Sequence, residues 1–185
     1  MTWALVVVDV QNDFADTAGS LAVGGGADVV PVINALVADA PFVAYSQDWH
    51  PPVTPHFATS GGTWPEHCVQ DTWGAALHPG LDVRGEVVRK GTGGEDGYSA
   101  FTVRDPQTGV ETATGLAQLL RDAGVSSLVV VGLATDYCVR ATALDGVALG
   151  WPVTVVRAAV RAVDLEPGDG DRALAELATV GVVLG

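Results

Sequence analysis

Short valine-rich runs alternate along the chain with longer segments whose apolar residues recur at helical spacing. The strand-like runs are residues 3–10, 42–47, 86–89, 127–132, 153–156 and 180–184, with near-continuous apolar positions. Such runs suit strands covered on both faces. Helical spacing predicts helices over 27–40, 111–123, 136–149 and 170–178, with Gly124 after one and Gly150 and Pro152 after another as stop signals. The alternation predicts an α/β fold in three α/β/α layers, with a mostly parallel, roughly six-stranded sheet. Only residues 49–82 break the rhythm. They lack periodicity but are rich in Pro, Gly, Trp and His, and a loop of that length inside a compact domain is usually functional or disordered. The histidines and Trp64 favour an ordered, functional loop.

Composition narrows the class. The chain has 185 residues, 48% apolar and 17% charged, which suits one globular domain spanning 1–185 that needs no disulfide or structural metal to hold its core. A formal net charge of -13 argues against nucleic-acid or anionic-membrane partners, both of which need basic patches. The opening "MTWALVVVDVQNDF" has a short apolar run, no basic residue and an early Asp9, so it does not read as a signal peptide. No segment approaches the roughly 20 apolar residues of a membrane span. Cys68 and Cys138 lie far apart with no paired spacing, which suits reduced thiols in a cytoplasmic protein better than a disulfide.

In open parallel sheets, ligands bind beyond the carboxyl ends of the strands. Asp9 ends the first predicted strand, Asp48 follows the second, Lys90 follows the third, and Cys138 lies just past the run 127–132. Four reactive groups from four strands therefore converge on one rim. Lys90 is also the sole lysine of the chain, all other cations being arginine. That choice is either a leftover of coding bias or a need for a compact point charge. Cys138 at a helix start reads as a nucleophile whose thiol is lowered by the helix dipole, or as a buried structural cysteine. Asp9, a carboxylate within an apolar run, reads as a base with its pKa raised by burial, or as a capping residue.

The segment "SQDWHPPVTPHF" sets Asp48 and His50 two apart, on one side of an extended chain. His56 follows in the same loop, and His67 arrives from "WPEHC". A carboxylate with imidazoles suits Zn(II), Fe(II) or Mn(II); taken singly, each is an ordinary loop histidine. His78, in "LHPG", has no such company and reads as structural.

"VVVDVQNDF" with "GSLAV", then "QDWHP", "WPEHCVQ", "KG" with "GYSAF", and "GLATDYCV" follow one another in this order. The chain thereby resembles the nicotinamidase/pyrazinamidase group of the isochorismatase-like cysteine hydrolases from about Val6 to beyond Arg140. The resemblance implies a catalytic triad of Asp9, Lys90 and Cys138, and an oxyanion hole from the Ala134 and Cys138 amides beside a cis Leu133–Ala134 bond. It implies one divalent transition metal on Asp48, His50, His56 and His67. It also implies a pocket for a small aromatic amide such as nicotinamide, with Phe14 and Trp64 holding the ring and Tyr98 lining it. "GTGGEDG", between Lys90 and Tyr98, receives no role from it. Two other readings stand beside this one: a superfamily hydrolase of another amide, carbamoyl or vinyl-ether substrate, or a non-catalytic binding protein on the same fold.

Overall fold

A computed structural model describes residues 2–185. In chain order the elements are β1 (Thr2–Val8), α1 (Asn12–Ala15), α2 (Val29–Asp39), β2 (Phe42–Asp48), β3 (Glu86–Lys90), β4 (Thr102–Arg104), β5 (Glu111–Ala113), α3 (Leu116–Asp122), β6 (Val125–Leu133), α4 (Arg140–Ala148), β7 (Val153–Arg161), α5 (Asp169–Thr179) and β8 (Val183–Leu184). Six strands form one parallel sheet in the order β3-β2-β1-β6-β7-β8. β4 and β5 form a separate antiparallel hairpin.

The strand β1 shows why the sheet is buried on both sides. Its side chains alternate faces, so Leu5 and Val7 enter one core with Val29, Ile33 and Val37 of α2. Ala4, Val6 and Val8 enter the other, with Leu120 of α3, Ala143 of α4 and Leu177 of α5. This gives the α/β/α layering that the periodicity predicts. Strand order reverses between β1 and β6, so the two central strands diverge in their connections at their carboxyl ends. A crevice forms at such a switch point, and Asp9 and Cys138 follow the two strands that flank it. Among the described residues, no helix is long and apolar enough to cross a membrane.

Several elements differ from the sequence expectation, three of them for an evident local reason. Residues 111–113 form β5 instead of the start of a helix. The Asp105 carboxylate accepts the Gln107 and Thr108 N–H groups, and Gly109 adopts a positive φ of 71°, which together turn the chain into a hairpin. The helix then starts only after Gly115, at Leu116. The run 180–184 is split, because Val182 N–H donates to Leu177 O and Gly181 N–H to Ala178 O. These bonds close α5 as a Schellman cap with Gly181 at φ 91°, leaving only Val183–Leu184 as strand. Finally, β7 runs on to Arg161. Its register with β6 jumps from Val130↔Val155 to Gly132↔Val160, a bulge that periodicity over 153–156 does not reveal.

Gly132 lets β6 lie against the end of β1. Its φ is 113°, and a Cβ there would fall within the backbone of Val8. Gly132→Ala should therefore lower the unfolding free energy by more than about 1 kcal/mol, read from the urea midpoint; an unchanged midpoint would contradict this close approach.

Candidate active site

Asp9 leaves β1 in the left-handed region, at φ 48°, a conformation rare for a residue with a side chain. Neighbouring β2 holds it there. Asp9 N–H donates to Ser46 O at 3.3 Å, and Ser46 Oγ donates to Asp9 Oδ1 at 2.6 Å. Lys90, the last residue of β3, projects its ammonium to 3.0 Å from Asp9 Oδ2, 2.5 Å from Asp48 Oδ1 and 3.9 Å from Cys138 Sγ. All four side chains are buried. Arg89 turns the other way, over the Trp49 ring at 3.7 Å. Of the two adjacent cations in "RK", the lysine is the one that enters the site.

Charge follows from this packing. Burial would cost Lys90 its proton, but Asp48, Asp9 and Cys138 around it hold its pKa well above the ordinary lysine value. Burial would likewise raise Asp48, yet the Lys90 ammonium outweighs it and keeps that carboxyl far below the usual range. Asp9 goes the other way: burial, with the Asp48 charge nearby, pushes it up despite Lys90. One ammonium thus serves two carboxylates, pairing fully with one and leaving the other basic.

Cys138 sits in a π-helical turn, Thr135–Val139, between β6 and α4. Here the helix-dipole expectation is corrected. Burial drives the Cys138 thiol well above its ordinary pKa, with Asp9 and Asp48 adding to it and Lys90 only partly opposing. The resting group is a thiol, which would need a base beside it to act as a nucleophile. The Leu133–Ala134 peptide is cis, and the Ala134 carbonyl accepts the Tyr137 and Val139 N–H groups at 3.2 and 3.0 Å. Cys68, by contrast, is buried with its N–H donating to Asp13 Oδ2 at 2.7 Å, outside the cavity that Cys138 lines. Both cysteines are free.

His50, His56 and His67 are buried, each offering a ring nitrogen within 4.8 Å of the others'. Asp48 Oδ2 lies 3.7 Å from His50 Nε2 and 4.0 Å from His67 Nε2. His67 Nδ1 is engaged by Pro65 O at 2.7 Å and His56 Nδ1 by Asp96 Oδ1 at 2.8 Å, which leaves Nε2 of each as the free lone pair. Both ring nitrogens of His50 are buried without a partner, an unstable arrangement unless something binds them. Burial lowers His67 to about 4, so its imidazole is neutral near pH 7. Three imidazoles and a carboxylate fit a divalent transition metal. Asp9, Asp48 and Cys138 are also close enough to hold a cation, but the Lys90 ammonium already supplies that charge. His78 stands apart, its Nδ1 accepting the Gly80 N–H at 3.1 Å.

One apolar cavity joins the two clusters. Phe14 and Trp64 line it, with Asp48, His56 and His67 at the metal-like cluster and Ala134 and Cys138 at the thiol. Tyr98 also lines it, and its hydroxyl accepts the Trp64 Nε1–H at 3.1 Å. Sequence reasoning passed over several contributors. Tyr137 lines the cavity and packs edge-on against both Trp64 and Tyr98; its place beside Cys138 in "TDYCV" was the available signal. The polar run after Asp9 pins the histidine loop to the sheet. Gln11 Nε2 donates to Asp48 O and Ala75 O, Asn12 Nδ2 donates to Trp73 O, and Asp13 accepts the Cys68 and Ser20 N–H groups. Three polar residues in a row at a strand end were the signal for that clamp.

Known proteins resemble this chain in sequence and in fold. The isochorismatase domain family matches residues 3–185. The chain is 38% identical to the nicotinamidase of Escherichia coli (strain K12), over 98% of this chain and 93% of that one. It superposes on the pyrazinamidase of Pyrococcus horikoshii in complex with zinc with a TM-score of 0.87 and 35% identity, covering 100% of this chain and 99% of that one. For PnC1 from L. infantum in complex with nicotinate the TM-score is 0.91 and the identity 40%, covering 100% of this chain and 92% of that one. The chain belongs to the isochorismatase family, within its nicotinamidase/pyrazinamidase group.

Proposed function

We propose that this chain, acting as one hydrolase domain, converts nicotinamide to nicotinate and ammonia through a cysteine thioester, and also accepts pyrazinamide. The observation that carries this reading is one cavity lined together by Cys138, His56, His67, Phe14 and Trp64. A flat pyridine ring between two aromatic walls can reach the thiol with its carboxamide and the imidazole end with its ring nitrogen. That relatives of similar length and fold are a nicotinamidase, a zinc complex and a nicotinate complex supports it. A divalent transition metal held by Asp48, His50, His56 and His67 would supply a Lewis-acid anchor for the lone pair of the ring nitrogen.

The chain's own residues account for the proton and charge movements. Asp9, raised by burial, takes the Cys138 proton as the sulfur attacks the amide carbon. The amides of Ala134 and Cys138 stabilise the oxyanion. Asp9 then delivers its proton to the departing nitrogen, so ammonia leaves and the thioester remains. In the second half, Asp9 takes a proton from the water that attacks the thioester carbon. The sulfur leaves and recovers that proton from Asp9, releasing the acid. Lys90 keeps one positive charge within reach of the carboxylate and the sulfur at every stage. Within this family, hydrolysis of another amide would use the same Cys138 chemistry, but the imidazole end of the cavity would then have no ring nitrogen to meet.

Cys138→Ala should reduce ammonia release from nicotinamide by about 10⁴-fold or more while metal content per chain stays at the wild-type level; retained turnover would sink the scheme. The pH profile offers an independent check. A base raised by burial loses its proton only above the ordinary aspartate range, so the acid limb of kcat/KM should lie above that range. The Ser46 hydrogen bond lowers Asp9; Ser46→Ala should therefore move the limb to still higher pH in metal-saturated enzyme. A limb that does not move on this substitution would remove Asp9 as its source.

A further inference from the structure

Residues 91–97, between Lys90 and the cavity wall, have no task in the reaction as described. Glu95 serves only its own turn, accepting the Gly93 N–H at 2.8 Å. Asp96 is different, because its carboxylate reaches out of the loop to His56 Nδ1 at 2.8 Å. The backbone of Asp96 is anchored on β4: its N–H donates to Arg104 O at 2.7 Å, and Arg104 N–H donates to Asp96 O at 2.6 Å. The same Oδ1 accepts the Gly97 N–H at 2.8 Å, which limits the rotation of the carboxylate. Gly97 makes this turn at φ 129°, where a Cβ would crowd Thr102 O and Val103 Cα.

Resting on the metal reading of Asp48, His50, His56 and His67, we infer that Asp96 is a positioning residue for His56. It fixes the Nδ1–H tautomer of that imidazole and so presents Nε2 to the metal. A carboxylate behind a ligating histidine orients the ring and raises its basicity. His67 has a backbone carbonyl in this role; Asp96 is the charged version, supplied by a different loop. Its placement also couples the metal end of the cavity to the aromatic wall. Two residues on, Tyr98 Oη accepts the Trp64 Nε1–H, and Trp64 N–H donates back to His56 O at 3.4 Å. His56, Asp96, Tyr98 and Trp64 thus form a closed ring of contacts, so whatever orders the imidazole also orders the wall that faces the substrate.

The test is zinc affinity of the full chain, stripped of metal and titrated in competition with a chromophoric chelator at fixed pH. Asp96→Ala should bind zinc about 10- to 100-fold more weakly than wild type. Asp96→Asn keeps an acceptor oxygen without the charge, so it should lose less. Hydrogen exchange should show zinc protecting the amides of residues 91–98 in wild type and failing to do so in Asp96→Ala. The metal-free unfolding midpoint serves as the control for a merely structural role: an affinity loss matched by an equal loss of metal-free stability in both variants overturns the inference. Asp96→Ala binding within about twofold of wild type overturns it as well, as does unchanged affinity in Asp96→Asn should Asp96→Ala fail to fold. Wild-type protein that binds no zinc would instead overturn the metal reading itself, a result distinct from equal binding by wild type and variant.

Discussion

The site depends on one buried ammonium. Lys90 stands within hydrogen-bonding distance of two carboxylates and near a thiol, all removed from water. Burying one ion pair is costly, and its members survive only when each charge is matched and hydrogen-bonded. Asp9 and Asp48 could not both remain carboxylates at this separation without Lys90, since like charges at close range force one of them to keep its proton. The asymmetry that results, with Asp48 strongly acidic and Asp9 raised, assigns the two groups different work. In the proposed reaction Asp48 is the anion offered to a metal and Asp9 the base offered to sulfur. A planar guanidinium in place of the ammonium would present its charge over a wider fork and could not occupy the same point between three partners.

The backbone exists to bring these groups together. Asp9 and Cys138 follow the two central strands, on either side of the point where strand order reverses, and Lys90 ends the outermost strand beyond β2. The parallel register places Lys90 beside Asp48 directly. The histidines have no strand of their own, so the loop that carries them is clamped instead. Gln11, Asn12 and Asp13 hold its backbone with their side chains, and its own Phe57 is fully buried against the three imidazoles. A loop held in this way can carry ligands with the rigidity usually found in regular elements.

Much of this is legible in sequence because strand ends are legible. Asp9, Asp48, Lys90 and Cys138 each lie at or just past the end of a strand-like run, and in a parallel sheet all such ends share one rim. Three histidines in one irregular loop beside an aspartate carry their own signal. What stays hidden depends on long-range packing. The protonation of Cys138 is decided by burial and by two carboxylates from other strands, which outweigh the local helix effect. Asp96 lies in a glycine-rich stretch without periodicity, and its partner His56 is separated from it by β3 and most of the histidine loop. The hairpin of β4 and β5 turns on the Asp105 carboxylate and Gly109, whereas the apolar spacing that follows resembles a helix.

The arrangement makes the catalytic and metal ends one electrostatic unit, since Asp48 touches Lys90 through Oδ1 and faces His50 and His67 through Oδ2. The most direct test of that unit is ammonia release by Lys90→Arg on nicotinamide, with bound metal quantified in the same sample. Charge is conserved in this variant, so only its shape and placement change. A displacement of reacting groups by an ångström can cost about 10²-fold in rate, and a loss of at least that size with the chain still folded is the expected result. Wild-type turnover by Lys90→Arg would contradict the account.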